Sequence, residues 1–294
     1  METKNYFQLT AVAAVACMVA FASCGSKDNA GTSNEDDNTT DPWGDDDTTS
    51  FVVNVDTASL KGSNYYVLMM DDVSRAKIAD REVAYIGPDG ADYPAPTNIT
   101  TRQIDIWEGT YAAGSTQGPN AYGEITGWFA MVVTSGSWNG GGFFANPAKG
   151  DSLFNADNAT YADKKAPDFS QISENRDEYY FHVAIKSPSN QPDAGVTLTF
   201  YDEKNQDGSK VGQYSVYLGP STNKGDAVWS KDYPHDGSWH SFDIPIAELK
   251  KSDGTKWTWT KSMQPKDYYF LTFINAPSIE GHELNLDGMF FYKK

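Results

Sequence analysis

The chain has 294 residues and is acidic, with 23 Lys and Arg against 40 Asp and Glu and a formal net charge of −17. That balance excludes a reader of nucleic-acid backbones, whose affinity rests on Lys and Arg neutralising phosphates, and argues against direct adsorption to anionic lipid headgroups. Both cysteines, Cys17 and Cys24, lie near the start, so the chain beyond them has no disulfide and no thiol nucleophile, and an apolar core must hold it together.

In chain order, Lys4 is followed by an apolar run, Leu9 to Phe21, and then by Ala22-Ser23-Cys24. The run is short for a bilayer span, which needs about 20 residues, and reads as a secretory signal ending in small residues. Phe21-Ala22-Ser23-Cys24 resembles the lipobox of bacterial lipoproteins. The resemblance implies a signal peptide over 1–23, cleavage before Cys24 and lipidation of Cys24. Residues 24–50 follow, with eight Asp and Glu against Lys27 and mostly Ser, Thr, Asn and Gly otherwise. Such a segment buries too little apolar surface to offset its ordering entropy, and its charges repel, so an extended tether is expected. Ser26-Lys27-Asp28 directly after Cys24 is similar to the export signal of Bacteroidetes surface lipoproteins. That likeness implies a lipid-anchored outer-membrane protein facing the cell exterior.

From residue 51 to 294 the chain reads as strands in one domain. Tyr179–Lys186 alternates, with Tyr179, Phe181, Val183 and Ile185 on one face, and the strands Val196–Tyr201 and Gln213–Leu218 follow, joined by Asp202–Lys210. Phe51–Val55, Tyr65–Met70, Arg102–Trp107, Trp128–Val133, Tyr268–Ile274 and Glu283–Tyr292 are further strand candidates. Helix signals are confined to Val73–Val83 and one or two turns over Pro245–Lys251. Period-two alternation, β-branched and aromatic enrichment and turn clusters together predict an all-β, antiparallel β-sandwich.

The aromatic content, 14% of residues with 8 Trp and 17 Tyr, suits a partner with apolar C–H faces and hydroxyls, as in sugars; rings stack on the former and polar side chains bond the latter. Trp239 and Trp128 sit in strand patterns and are expected in the core. Trp107 faces away from Ile104 and Ile106, and the pattern leaves open whether that side is core or solvent. Trp138 lies in a Gly-, Ser- and Asn-rich stretch, Ser135–Gly142, without apolar neighbours, where an exposed ring would mark a binding site. Tyr111 and Tyr122 flank a second polar loop, Ala112–Ala121. The candidate glycan-binding residues are therefore Trp138, Tyr111, Trp107, Glu108, Asn120, Tyr122 and Asn139. Trp257 and Trp259 alternate around Thr258 and are expected to share one side of a strand, at the core or an edge.

Several segments carry a family resemblance. Asp236-Gly237-Ser238-Trp239-His240-Ser241-Phe242-Asp243-Ile244-Pro245 resembles a strand of jelly-roll carbohydrate-binding modules, and Leu284–Tyr292 looks like their closing strand. Ile104–Tyr111, Gly118-Pro119-Asn120, Gly127-Trp128 and Trp138–Phe143 are similar, in that order, to Bacteroidetes surface lipoproteins encoded with polysaccharide-uptake systems. The resemblance covers most of residues 65–294. It implies a galactose-binding-like jelly roll that binds poly- or oligosaccharide beside a TonB-dependent importer. It also makes Asp287 a candidate ligand of a structural calcium ion; no other cofactor is called for.

Other chemistry is weakly signalled. Asp202, Asn205, Asp207 and Gly208 faintly resemble a calcium loop but lack its late Glu and fit a hairpin turn better. The four histidines have no zinc spacing, and no nucleophile elbow, P-loop or dinucleotide fingerprint is present. No carboxylate pair is nominated for glycoside hydrolysis, whose geometry is spatial rather than sequential. The reading favoured is a non-catalytic glycan-binding lipoprotein; a glycoside hydrolase or lyase and a structural or adhesive lipoprotein are the alternatives.

Overall fold

A computed structural model describes residues 54–83, 100–101, 104–107, 110–114, 119–125, 127–134, 139–144, 169–202, 212–260 and 269–294. The signal, the tether, Cys24, Glu108 and Trp138 lie outside the described residues, as does the side chain of Tyr111. The described strands form two sheets. The first holds β1 (Ser63–Met70), β2 (Thr100–Thr101), β4 (Thr110–Gly114), β5 (Phe129–Val133), β7 (Tyr179–Lys186), β11 (His240–Pro245) and β13 (Glu283–Lys293). The second runs β10-β9-β8-β12-β6-β3, with β3 (Ile104–Ile106), β6 (Gly140–Phe144), β8 (Val196–Tyr201), β9 (Gln213–Leu218), β10 (Trp229–Lys231) and β12 (Tyr269–Asn275). Every described strand pair is antiparallel except β9 and β10, which run parallel. The all-β antiparallel sandwich is thus the architecture of the domain.

The core forms where the alternating faces meet. Phe181, Val183 and Ile185 of β7 and Leu284 and Leu286 of β13 point inward, and Val196, Leu198 and Phe200 of β8 and Leu271 and Phe273 of β12 meet them. Rings bridge the sheets edge to face, Phe181 on Phe200 at 5.0 Å and Phe129 on Phe273 at 5.3 Å, the arrangement favoured by the aromatic quadrupole. The face of β7 expected to be apolar is the buried one. Trp257 and Trp259 also join this core, from a segment outside any strand.

A second apolar layer covers the outer face of the first sheet. Tyr65, Val67, Trp128, Trp239, Phe290 and Tyr292 pack there under Ile78 and Tyr122. β13 feeds both layers by alternation, and its parity changes at Gly288: Leu284 and Leu286 face inward before it, Met289 and Phe291 after it. Gly288 has φ +57° at the register shift, so this is a bulge built on a residue without Cβ penalty.

Several boundaries differ from expectation. The described part of Phe51–Val55 is not strand; residues 54–58 form a strap over the first sheet, with the Asp56 N–H donating to the Ala121 carbonyl at 2.9 Å. The Val73–Val83 helix is a short α1 (Asp72–Ala76), capped by Asp71 and followed by turns. The polar stretches read as loops contain the starts or ends of β4 and β6. Gly140, Gly141 and Gly142 carry no β signal of their own, yet pair in register with Ile274, Phe273 and Thr272, so tertiary pairing overrides local propensity there.

Candidate functional site

Alternation in the second sheet places a polar row on its outer face. Thr272 lies between the inward Leu271 and Phe273, and its register partners are Gly142 on one side and Thr199 on the other; Thr199 in turn pairs with Ser215. The hydroxyls are tied together, Thr199 Oγ1 to Ser215 Oγ at 3.0 Å and Tyr201 Oη to Thr272 Oγ1 at 3.3 Å. Thr199, Tyr201 and Thr272 are buried, while Ser215 and Gln213 are half-buried at the β9 end. There, Gln213, Ser215, Asp226, Lys250, Lys251 and Ser252 line a hollow of about 840 Å³.

At the opposite rim stand two half-buried rings, Trp107 and Tyr269. The Trp107 Nε1–H donates to Tyr269 Oη at 2.9 Å, and the rings meet edge to face at 5.8 Å. Trp107 is positioned through its backbone N–H, which donates to the Gly140 carbonyl at 3.0 Å. Tyr269 lies against Gly142, where a Cβ would come within 2.5 Å of its ring. The open question about Trp107 is thereby answered: it is outside the core cluster, on the polar outer side. Sequence reasoning missed the half-buried Tyr269 and Ser215; Thr272 and Thr199 are buried beside them and brace the sheet. The signal was available in Val196–Tyr201 and Gln213–Leu218, whose alternation already sets hydroxyl residues on one side.

The remaining candidates separate. Tyr111 belongs to β4, opposite Val132 of β5 in the first sheet, so it does not share a sheet with Trp107. Asn120, Tyr122 and Asn139 are fully or almost fully buried, which corrects their assignment to a solvent-facing platform. Asn120 holds its loop together: its Oδ1 accepts from the backbone N–H of Tyr122 at 2.9 Å and Glu124 at 3.0 Å, and its Nδ2 donates to Asp71 Oδ2 at 2.8 Å. Asn139 accepts the Asn275 N–H on its carbonyl at 3.0 Å, closing the start of β6.

Asp287 is also interior. Its Oδ2 accepts from the Ala121 N–H at 3.1 Å and its Oδ1 from the Gly288 N–H at 2.8 Å. Burial first, and then the charge of Asp71, push its carboxyl up to about 8. Asp71 spends both oxygens as well, on the Ser74 N–H and on Asn120. Calcium takes six to eight oxygens. Here the carboxylate oxygens and the Asn120 carbonyl meet N–H donors, and among the described residues no group of three acidic, His or Cys side chains is placed to hold a metal. The described residues around Asp287 do not fit a calcium ion.

No protein-family profile matches the chain, and no curated protein does. Among solved structures, it is similar to the family 11 carbohydrate-binding module of the cellulosomal cellulase Lic26A-Cel5E of Clostridium thermocellum. The identity is 10% over 65% of this chain and 86% of that one, at a TM-score of 0.32. An exo-β-agarase is similar at 11% identity over 71% of this chain and 24% of its own, with a TM-score of 0.35, so the match spans about a quarter of that enzyme. The C-terminal family 22 carbohydrate-binding module of Clostridium thermocellum Xyn10B matches at 12% identity over 65% of this chain and 86% of its own, with a TM-score of 0.28. These likenesses assign no residue of this chain a role.

Proposed function

We propose that the domain is a non-catalytic glycan-binding module. It is held at the outer membrane through lipid on Cys24 and captures poly- or oligosaccharide for an uptake system with a TonB-dependent importer. The observation that carries the binding reading is the Trp107–Tyr269 pair, two half-buried rings fixed by a hydrogen bond. A ring held in one orientation loses little entropy when a sugar stacks on it. Trp138 and Glu108 remain glycan-binding candidates on the sequence pattern alone.

The test is retention in polysaccharide-containing affinity gels, with thermal unfolding as the control. Once a retained polysaccharide is found, Trp107→Ala should weaken binding by about thirtyfold, the loss of about 2 kcal/mol that marks a hot spot, with the melting temperature little changed. Trp138→Ala should act similarly. Wild-type retention by both variants would overturn the assignment. The anchor is tested separately: Cys24→Ala should leave the outer-membrane fraction, and a variant that stayed there would remove the lipid from the proposal.

A further inference from the structure

His182 lies on the outer face of β7 and is buried among apolar rings, stacked on Phe290 at 4.7 Å and edge-on to Tyr292 at 6.2 Å. Both of its ring nitrogens nevertheless face carboxylates. Nδ1 is 2.8 Å from Asp243 Oδ1 on the neighbouring β11, and Nε2 is 3.1 Å from Asp56 Oδ2 on the strap. The Nε2–Oδ2 approach is at ion-pair distance without hydrogen-bond alignment, and neither atom has any other hydrogen-bond partner. A neutral imidazole carries one N–H and one lone pair; it can serve one carboxylate and must turn a lone pair on the other. Only the doubly protonated ring satisfies both. The groups around it agree in sign. Asp243 also accepts from Tyr292 Oη at 2.8 Å and pairs with Lys294 Nζ at 3.0 Å. Asp287 on β13 adds a favourable interaction with the ring where it is ionised.

We infer that His182 is a resident imidazolium that clips the strap, residues 54–58, onto the first sheet, and that loss of its proton releases the strap. Asp56 is well placed for this. Its N–H donates to Ala121, its Oδ1 accepts from the Ser59 N–H at 3.0 Å, and its other oxygen meets His182. The strap is one wall of a cavity of about 450 Å³, whose other wall is the segment with Tyr233, Trp239 and His240. Release therefore opens that cavity.

The direction with pH follows from linkage. Burial alone would lower the His182 pKa, but the bonds to Asp243 and Asp56 outweigh it and raise it above 6.5. With the strap released the ring keeps Asp243 but loses Asp56, so its pKa is lower there than in the clipped state; between the two values the clipped state holds more proton, so clipping is complete below that window and weakens as pH rises through it. Asp56 and Asp243 move the other way: burial opposes their ionisation, but the bonds to His182 hold both below the usual carboxylate range. Their contribution is lost only in acid.

The experiment is nitrogen-15 NMR of the His182 ring in the full chain, with hydrogen exchange at the amides of Asp56 and Ser59. At pH 6 both ring nitrogens should be protonated, and as pH rises through the window between the released and clipped pKa values strap protection should fall by up to about tenfold per pH unit. Asp56→Asn keeps the amide acceptor for Ser59 and removes the charge, so it should lower strap protection at pH 6 roughly 10- to 100-fold and flatten its pH dependence. It is preferred to His182→Gln, which endangers the core. A pyridine-type ring nitrogen at pH 6, or strap protection in Asp56→Asn equal to wild type, would overturn the proposal.

Discussion

The two indoles of the outer layer, Trp128 and Trp239, cross edge to face at 5.9 Å, and the Lys186 ammonium lies 4.5 and 4.8 Å from their centres. A cation against two ring faces gains from both quadrupoles while its stem packs on the sheet. Trp239 further donates its Nε1–H to the Pro119 carbonyl at 3.2 Å, tying β11 to the loop that Asn120 braces. Trp239→Ala should therefore cost about 3–5 kcal/mol, read as a large drop in melting temperature; an unchanged midpoint would contradict the packing described. Asp287 offers a test by pH. Between about pH 4 and 8 the folded state keeps a proton that the unfolded chain has released, so this group's contribution to stability falls as pH rises across that range. Asp287→Asn is uncharged throughout. Relative to wild type it should melt higher at pH 9 than it does at pH 5, and parallel melting curves would show that Asp287 is ionised in the fold.

At the scale of elements, two glycines carry positions that no side chain could share. Gly142 in β6 leaves room for Tyr269 and Thr272, whose atoms a Cβ would approach within 2.5 and 2.9 Å. Gly142→Ala should push Tyr269 off Trp107 and weaken glycan retention together with Trp107→Ala, with a smaller effect on stability. If retention were unaffected, the ring pair would not be part of the binding rim. Gly288 makes the bulge of β13, and a Cβ there would overlap the Tyr122 hydroxyl as well as strain the left-handed backbone. Gly288→Ala should destabilise the domain by at least about 1–2 kcal/mol, the cost of the backbone conformation alone, measured by denaturant midpoint. Because the bulge switches which residues of β13 face which layer, the same change should disturb both apolar clusters.

For the whole molecule, charge and partner are linked. The net charge of −17 includes −7 from residues 24–50, so the part from residue 51 onward is also acidic. Such a surface repels polyanions at long range. Under the proposed function, neutral polysaccharides should be retained in preference to uronate-rich or sulfated ones, and retention should change little between low and high salt, since stacking and neutral hydrogen bonds are not screened. A strong gain of affinity at low salt for an anionic glycan would instead locate binding at the lysines of the β9 hollow.

Alternation was enough to identify the sandwich and to group the residues of β7 that face inward, because a side chain's face on a strand follows from its position alone. Trp128 and Trp239 could likewise be placed as packed rings from their strand patterns. The sequence could not say which Asn, Tyr and Trp of the polar stretches face solvent. Asn120, Tyr122 and Asn139 look like surface residues locally and are interior because other elements cover them: α1 and its turns, the strap and β12 arrive from distant parts of the chain. The triglycine start of β6 and the pairing of Trp107 with Tyr269, 162 residues apart, depend on the same kind of contact. Local pattern sets the period of each strand; only the packing of strands from far along the chain decides what lies over them, and so whether a polar residue is a brace or part of a site.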